Sequence, residues 1–198
     1  MCYNRSTAVG SRVDGHRCDG CKETPCTMTD TDIYNLVENA FAGVLRPAHF
    51  TDPRHCPECK DHDDALCSKS VETLTLAEVG NSCWDPICFI TPEGMQYYFP
   101  ALVRLALTQN AEHELYDPYI YQFLKHISTP NGWHSKFSCF TQIQKEAVLM
   151  VLKHILEHHI SWSGDWNADE GLLAGTIRWE EFVTKTASGN SLSSPADL

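Results

Sequence analysis

Basic residues are scarce in this chain: 15 Lys and Arg stand against 26 Asp and Glu, a formal net charge of −11 over 198 residues. A protein that grips a nucleic-acid backbone needs clustered cations to displace counterions. The deficit therefore argues against nucleic acid and against an anionic membrane surface. Long apolar runs are missing too, and nothing approaches the roughly 20 residues that span a bilayer as a helix. The opening Met1-Cys2-Tyr3-Asn4-Arg5-Ser6-Thr7 has none of the apolar core of a secretory signal. The ten cysteines therefore read as thiols or metal ligands before disulfides, and the expected compartment is cytoplasmic. No Gly-rich phosphate loop, no G-x-S-x-G elbow, no evident Ser/His/Asp set and no internal repeat is found.

What is present is enough apolar sequence, 42% of the residues, for one full core. The pattern predicts a mostly helical α+β fold: a single domain over residues 30–183, with a small β-hairpin and a Cys/His-rich turn. Residues 1–29 read as a leader and residues 184–198, rich in Ser, Gly and Asn, as a disordered tail. The leader carries Cys18, Cys21 and Cys26. They suit either a small metal knuckle or translated sequence ahead of a true start at Met28.

Asp30, Thr31 and Asp32 offer cap oxygens to a helix whose stripe is Ile33, Leu36, Val37, Ala40, Phe41 and Val44, ending by Pro47. Thr75 to Glu78 spells a capping box closed by Gly80-Asn81. Ile87 to Ile90, the turn Thr91-Pro92-Glu93-Gly94, and Met95 to Phe99 read as the hairpin, because the flanks are β-branched or aromatic. Pro100 then suits the first position of a helix over 101–108. Asp117-Pro118 opens a helix with the stripe Ile120, Phe123, Leu124 and Ile127, and a loop is expected over 128–132. Thr141 and Gln144 cap what reads as the longest helix, about 142–159. Beyond it, Trp179, Phe182 and Val183 form a weak helical stripe.

The sharpest chemistry lies in His55-Cys56-Pro57-Glu58-Cys59-Lys60-Asp61-His62, with Cys67 just beyond. A Cys-x2-Cys turn can bring two sulfurs to one cation, and thiolates with imidazole suit zinc, which four ligands close into a structural site. Cys56, Cys59 and His62 supply three ligands and Cys67 is the leading fourth, with Cys83, Cys88 and His55 as alternatives. Two thiolates and a neutral imidazole make a neutral site with Zn2+, and a third thiolate makes it −1. The same pair also suits thiol–disulfide chemistry.

Other constellations are weaker. His154 to His158 spells H-x-x-E-H, but His154 and His158 both fall beside Ile143, Ala147 and Val151 on the apolar side of their helix, the place of core or boundary histidines. His113-Glu114-Leu115-Tyr116-Asp117 ends in Asp before Pro118, which breaks the helix that a zinc motif needs. Asp165-Trp166-Asn167-Ala168-Asp169 begins like a calcium loop, yet Glu170 stands where Gly belongs and Thr176 where Glu belongs. The aromatic group Trp84, Phe89, Tyr97, Tyr98 and Phe99 suits a partner surface or core packing.

Three stretches taken together resemble a known family. They are His55-Cys56-Pro57-Glu58-Cys59 with His62-Asp63, then Trp84 to Gly94 running on to Tyr97-Tyr98-Phe99-Pro100, and Gln144 to Val148. In this order they resemble an uncharacterised family of small bacterial proteins, known as a domain of unknown function, over about residues 33–157. The resemblance implies a compact domain and no particular activity. The function expected from the residues is a zinc-binding interaction or regulatory protein without catalysis, its zinc structural and its protein partner unspecified. Two other classes remain: a metal-dependent hydrolase that uses the Cys56/Cys59/His62 zinc with Glu58 or Asp63 as base, and an acidic partner-neutralising protein without metal.

Overall fold

The computed structural model describes residues 28–108, 118–128, 136–159 and 166–187. Cys18, Cys21, Cys26, His113 to Asp117 and the loop after Ser128 lie outside the described residues. Among the described residues there are seven α-helices: α1 (Asp30–Ala40), α2 (Pro57–Cys67), α3 (Leu76–Val79), α4 (Pro92–Thr108), α5 (Tyr119–Ser128), α6 (Gln142–His158) and α7 (Trp166–Ala187), with one 3-10 turn at Pro86–Cys88. Among the described residues no helix is long and apolar enough to cross a membrane.

The caps written in the sequence start the helices. Thr29, one residue before the expected oxygens, caps α1: its hydroxyl accepts from the Asp32 amide at 3.2 Å and its amide donates to Asp32 Oδ2 at 2.9 Å. Thr75 with Glu78 and Thr141 with Gln144 form the two expected capping boxes. The stripe of α1 buries Ile33 and Val37, and the helix ends at Ala40. Gly43 turns the chain at φ 78°, in the left-handed region that favours glycine.

The α+β expectation is overturned: among the described residues there is no strand, and the hairpin is the start of a helix. The Thr91 hydroxyl accepts the Gly94 amide at 3.1 Å, and the Met95 amide donates to the Thr91 carbonyl at 2.8 Å. Thr91 before Pro92 is therefore a cap followed by a first-turn proline. Met95, Tyr98, Phe99 and Leu102, all fully buried or nearly so, have the i, i+3, i+4, i+7 spacing of one helix face. Gly94 sits where an added Cβ would stand 2.9 Å from Ile90 Cγ1 and 3.1 Å from the Phe50 carbonyl oxygen. Pro100, expected to open a helix, lies inside α4.

α4 packs against α1 and α5, and α6 lies against both α1 and α7, which also touches α5. Aromatic rings fill the joints: Phe41 stacks on Phe99 at 4.9 Å between centroids, and Phe137 meets Trp179 edge-on at 5.0 Å. Trp179 is fully buried and its indole N–H donates to the Ile127 carbonyl at 3.0 Å. The stretch that showed only a weak helical stripe is thus the longest helix among the described residues, α7, at 22 residues against 17 for α6.

The two glycines of α7 face opposite environments. A Cβ on Gly175 would lie 2.6 Å from Ser128 Cβ and 3.0 Å from its Cα, whereas a Cβ on Gly171 would meet nothing within 4 Å. Gly171→Ala should stabilise by roughly 0.5–1 kcal/mol through helix propensity. Gly175→Ala should destabilise by about 1–3 kcal/mol, because α7 must move off α5. Urea unfolding of both variants checks this, and equal signs would refute the packing.

Candidate metal centre

The segment before α2 doubles back on the helix and is held there by one carboxylate. Asp63, buried on α2, accepts from the Phe50 amide at 2.6 Å and the Thr51 amide at 3.1 Å through Oδ1, and pairs with His49 Nδ1 at 2.6 Å through Oδ2. The Thr51 hydroxyl donates to the Cys59 carbonyl at 2.6 Å. The Asp52 carbonyl accepts the His55 amide at 3.1 Å, closing a turn that delivers His55 to the start of α2.

There Cys56 is the N-cap and Pro57 the first helical residue. The Cys56 sulfur accepts from the Cys59 amide at 3.4 Å, and the Cys59 sulfur stands 3.4 Å from His55 Nδ1. One ligand atom from each of His55, Cys56 and Cys59 lies within 4.8 Å of the others. The Cys59 backbone amide first, then hydrogen bonds from the Cys59 and His55 side chains, pull the Cys56 thiol below its ordinary value. Cys59 is pushed up, first by burial and then by Cys56. Two thiols and an imidazole at this spacing can hold one soft cation, or the thiols can close on each other.

His62 and Cys67 stand outside this cluster. His62 is fully buried, with its ring 4.5 Å from that of Trp84 and 5.3 Å from that of Phe89. Neither ring nitrogen makes a hydrogen bond among the described residues, and Glu58 Oε1 stands 3.6 Å from Nε2. Cys67 lies at the far end of α2, where its thiol donates to the Ala48 carbonyl at 3.7 Å and clusters with His49 and Asp63. Of the expected aromatic surface, Tyr98 and Phe99 are core, while Trp84 and Phe89 remain 44% and 39% exposed.

Two groups that no local motif assembled lie elsewhere. Asp85, buried before the 3-10 turn, accepts the Ile87 amide at 2.9 Å through Oδ1, and through Oδ2 it meets Gln122 Nε2 and His126 Nε2, both at 2.6 Å. An ionised carboxylate only accepts, so His126 Nε2 carries the proton. Cys88 completes a cluster there with Asp85 and His126, and Lys136, whose ammonium donates to the Ile87 carbonyl at 2.9 Å, lies alongside. The second group is Asp30 with His154 and His159, joining the start of α1 to the end of α6. Sequence separations of 41 residues for Asp85–His126 and 124 for Asp30–His154 put both beyond any local pattern.

Asp85 sets a pH dependence. Burial alone would raise its carboxyl, but the bonds from His126, Gln122 and the Ile87 amide outweigh that and hold it below the ordinary 3.8. A depressed folded value means that the stabilisation is complete above the unfolded value and drains away as pH falls through the folded one. Asp85→Asn should cost about 3 kcal/mol at neutral pH, since an amide presents donors to donors. It should also flatten the loss of stability below pH ~4. Urea midpoints between pH 2 and 7 test this, and an unchanged acid limb would refute the role of Asp85.

Residues 29–168 match the model of a family of unknown function, DUF6714. No curated protein and no solved structure matches the chain. The matched region covers well over half of the 198 residues and holds His55, Cys56, Cys59, Asp85, His126 and both members of the His154/His159 pair, so the chain belongs to this family of unknown function.

Proposed function

We propose that the protein is a metal-stapled helical interaction domain, with structural zinc held at the start of α2 by Cys56, Cys59 and His55. The observation that carries this is the convergence of two sulfurs and one imidazole nitrogen within 4.8 Å, on a helix start whose amides favour thiolate. His62 is the proposed fourth ligand. It stands outside the present three-residue cluster but lies three residues after Cys59 on the same helix, and it pairs complete burial with unbonded ring nitrogens, of which a metal bond would satisfy one. Two thiolates and two neutral imidazoles make the site neutral with Zn2+.

Asp63, one candidate base of a hydrolase, has both oxygens committed to His49, Phe50 and Thr51, which supports a structural over a catalytic zinc. The half-exposed Trp84 and Phe89 rings that pack on His62 offer a protein partner an aromatic face joined to the staple.

Purified full-length chain should retain one thiolate-bound zinc that resists dialysis, and this thiolate-bound metal should be lost in Cys59→Ser and His55→Ala but kept in Cys67→Ser. Cobalt in its place should give the intense near-ultraviolet band of a thiolate–metal bond. With metal a thousandfold above its Kd, removal should cost about 4 kcal/mol. Absence of the thiolate band, or equal loss of zinc in Cys67→Ser, would overturn the assignment.

A further inference from the structure

We propose that Asp30, His154 and His159 form a second, thiol-free metal site for a borderline divalent ion such as Zn2+, Co2+ or Ni2+. Asp30 Oδ1 lies 2.6 Å from His154 Nε2 and 3.0 Å from His159 Nε2, and the three ligand atoms fall within 4.8 Å of one another. Tetrahedral bonds of about 2.1 Å place neighbouring ligand atoms roughly 3.4 Å apart, so one ion can enter with small side-chain shifts. Two imidazoles and one carboxylate are the ligand types that borderline ions take, and three ligands leave a position for water.

The frame is rigid and has an opening. Asp30 is the first residue of α1, fixed by the capping box of Thr29 and Asp32. His154 lies in the last turns of α6 and His159 is its C-cap, with its amide donating to the Ile155 carbonyl at 2.9 Å. The carbonyl end of a helix favours a cation. Both imidazoles are buried, with side-chain exposures of 4% and 7%, while the Asp30 side chain is 44% exposed and gives access from solvent. The H-x-x-E-H pattern had paired His154 with His158, but His158 is exposed, stands outside the cluster and faces Glu157 Oε2 at 3.9 Å. The residue after the motif, and a carboxylate from another helix, take its place.

This site is independent of the thiolate staple, and cobalt separates the two. The full-length chain carrying Cys56→Ser and Cys59→Ser should still bind one Co2+, with weak visible bands and no thiolate band. Adding Asp30→Ala or His159→Gln should weaken that binding by more than about tenfold while the helical circular dichroism persists. Failure of the double-cysteine variant to bind cobalt would overturn the proposal, as would indifference to both added substitutions. Nitrogen-15 spectra of the imidazoles in the unsubstituted chain guard against a variant that fails to fold. Zinc should convert Nε2 of His154 and His159 from protonated to metal-bound nitrogen and leave His158 unchanged. Unaltered His154 and His159 signals would mean that the cluster is only a hydrogen-bonded clamp.

Discussion

The structure depends on burying α4 on nearly all sides. Eleven of its 17 residues are buried, from Gly94 to Leu107, so it has no solvent face of the usual width and other segments must enclose it. Pro100 within it forgoes a backbone bond at a cost of about 3 kcal/mol or more, which a helix supported all round can bear. Two polar side chains on α4 then fix the periphery. The Tyr98 hydroxyl donates to the Leu66 carbonyl at 2.7 Å and stands 2.9 Å from that of Lys69, so it gathers the carbonyl end of α2. Arg104 does the same for the Val71 and Leu74 carbonyls. The helix that carries Cys56 and Cys59 is thereby held at its carbonyl end by the core, at Asp63 by residues 49–51, and nearer its start by the Thr51 hydroxyl on the Cys59 carbonyl.

Histidine–carboxylate pairs are the second organising device. His49–Asp63, His126–Asp85 and His154/His159–Asp30 each join residues that lie far apart in the sequence. A carboxylate bonded by imidazole or backbone amide contributes about 1.5–3 kcal/mol per bond, far more than an exposed ion pair such as Lys60–Asp64. The acidity of the chain is therefore not only a solvated surface, since some of its carboxylates are structural acceptors. It also follows that such pairs look like metal sites, and a metal is distinguished from a clamp by what the remaining ligands and openings allow. At Asp85 the oxygens are already committed to three donors and the Lys136 ammonium stands nearby, which disfavours a cation. At Asp30 the carboxylate faces two imidazole nitrogens and solvent, which does not.

Local signals were legible and long-range ones were not. The capping boxes at Thr75 and Thr141, the stripe of α1 and the Cys-x2-Cys turn are all set by residues within a few positions of each other. The hairpin failed because Ile87 to Phe99 mixes β-branched and aromatic residues, which favour strands, with Thr91-Pro92, which starts helices. Pro100 then drew a boundary where burial overrides the break. Spacing placed Cys56 and Cys59 side by side in the candidate site but could not tell that His55 turns back to them, that His62 packs on Trp84 and Phe89, or that Cys67 lies a helix length away. Those outcomes depend on Asp63 clamping residues 49–51 onto α2 and on aromatic packing, neither of which has a sequence period.

The family match ends at residue 168, close to where α7 begins, yet α7 is no appendage. Trp179 lies fully buried against Phe137, its indole satisfies the Ile127 carbonyl, and Gly175 permits contact with Ser128 at backbone distance. Removing it would expose apolar surface on α5 and α6 and leave the Ile127 carbonyl to find another donor. A chain that folds only the matched region must therefore change the residues that face α7 here or cover them with another segment or molecule. The metal ligands proposed at both sites lie within residues 29–168, so the proposed chemistry and the matched domain coincide, while the completion of the core is borne by the helix beyond them.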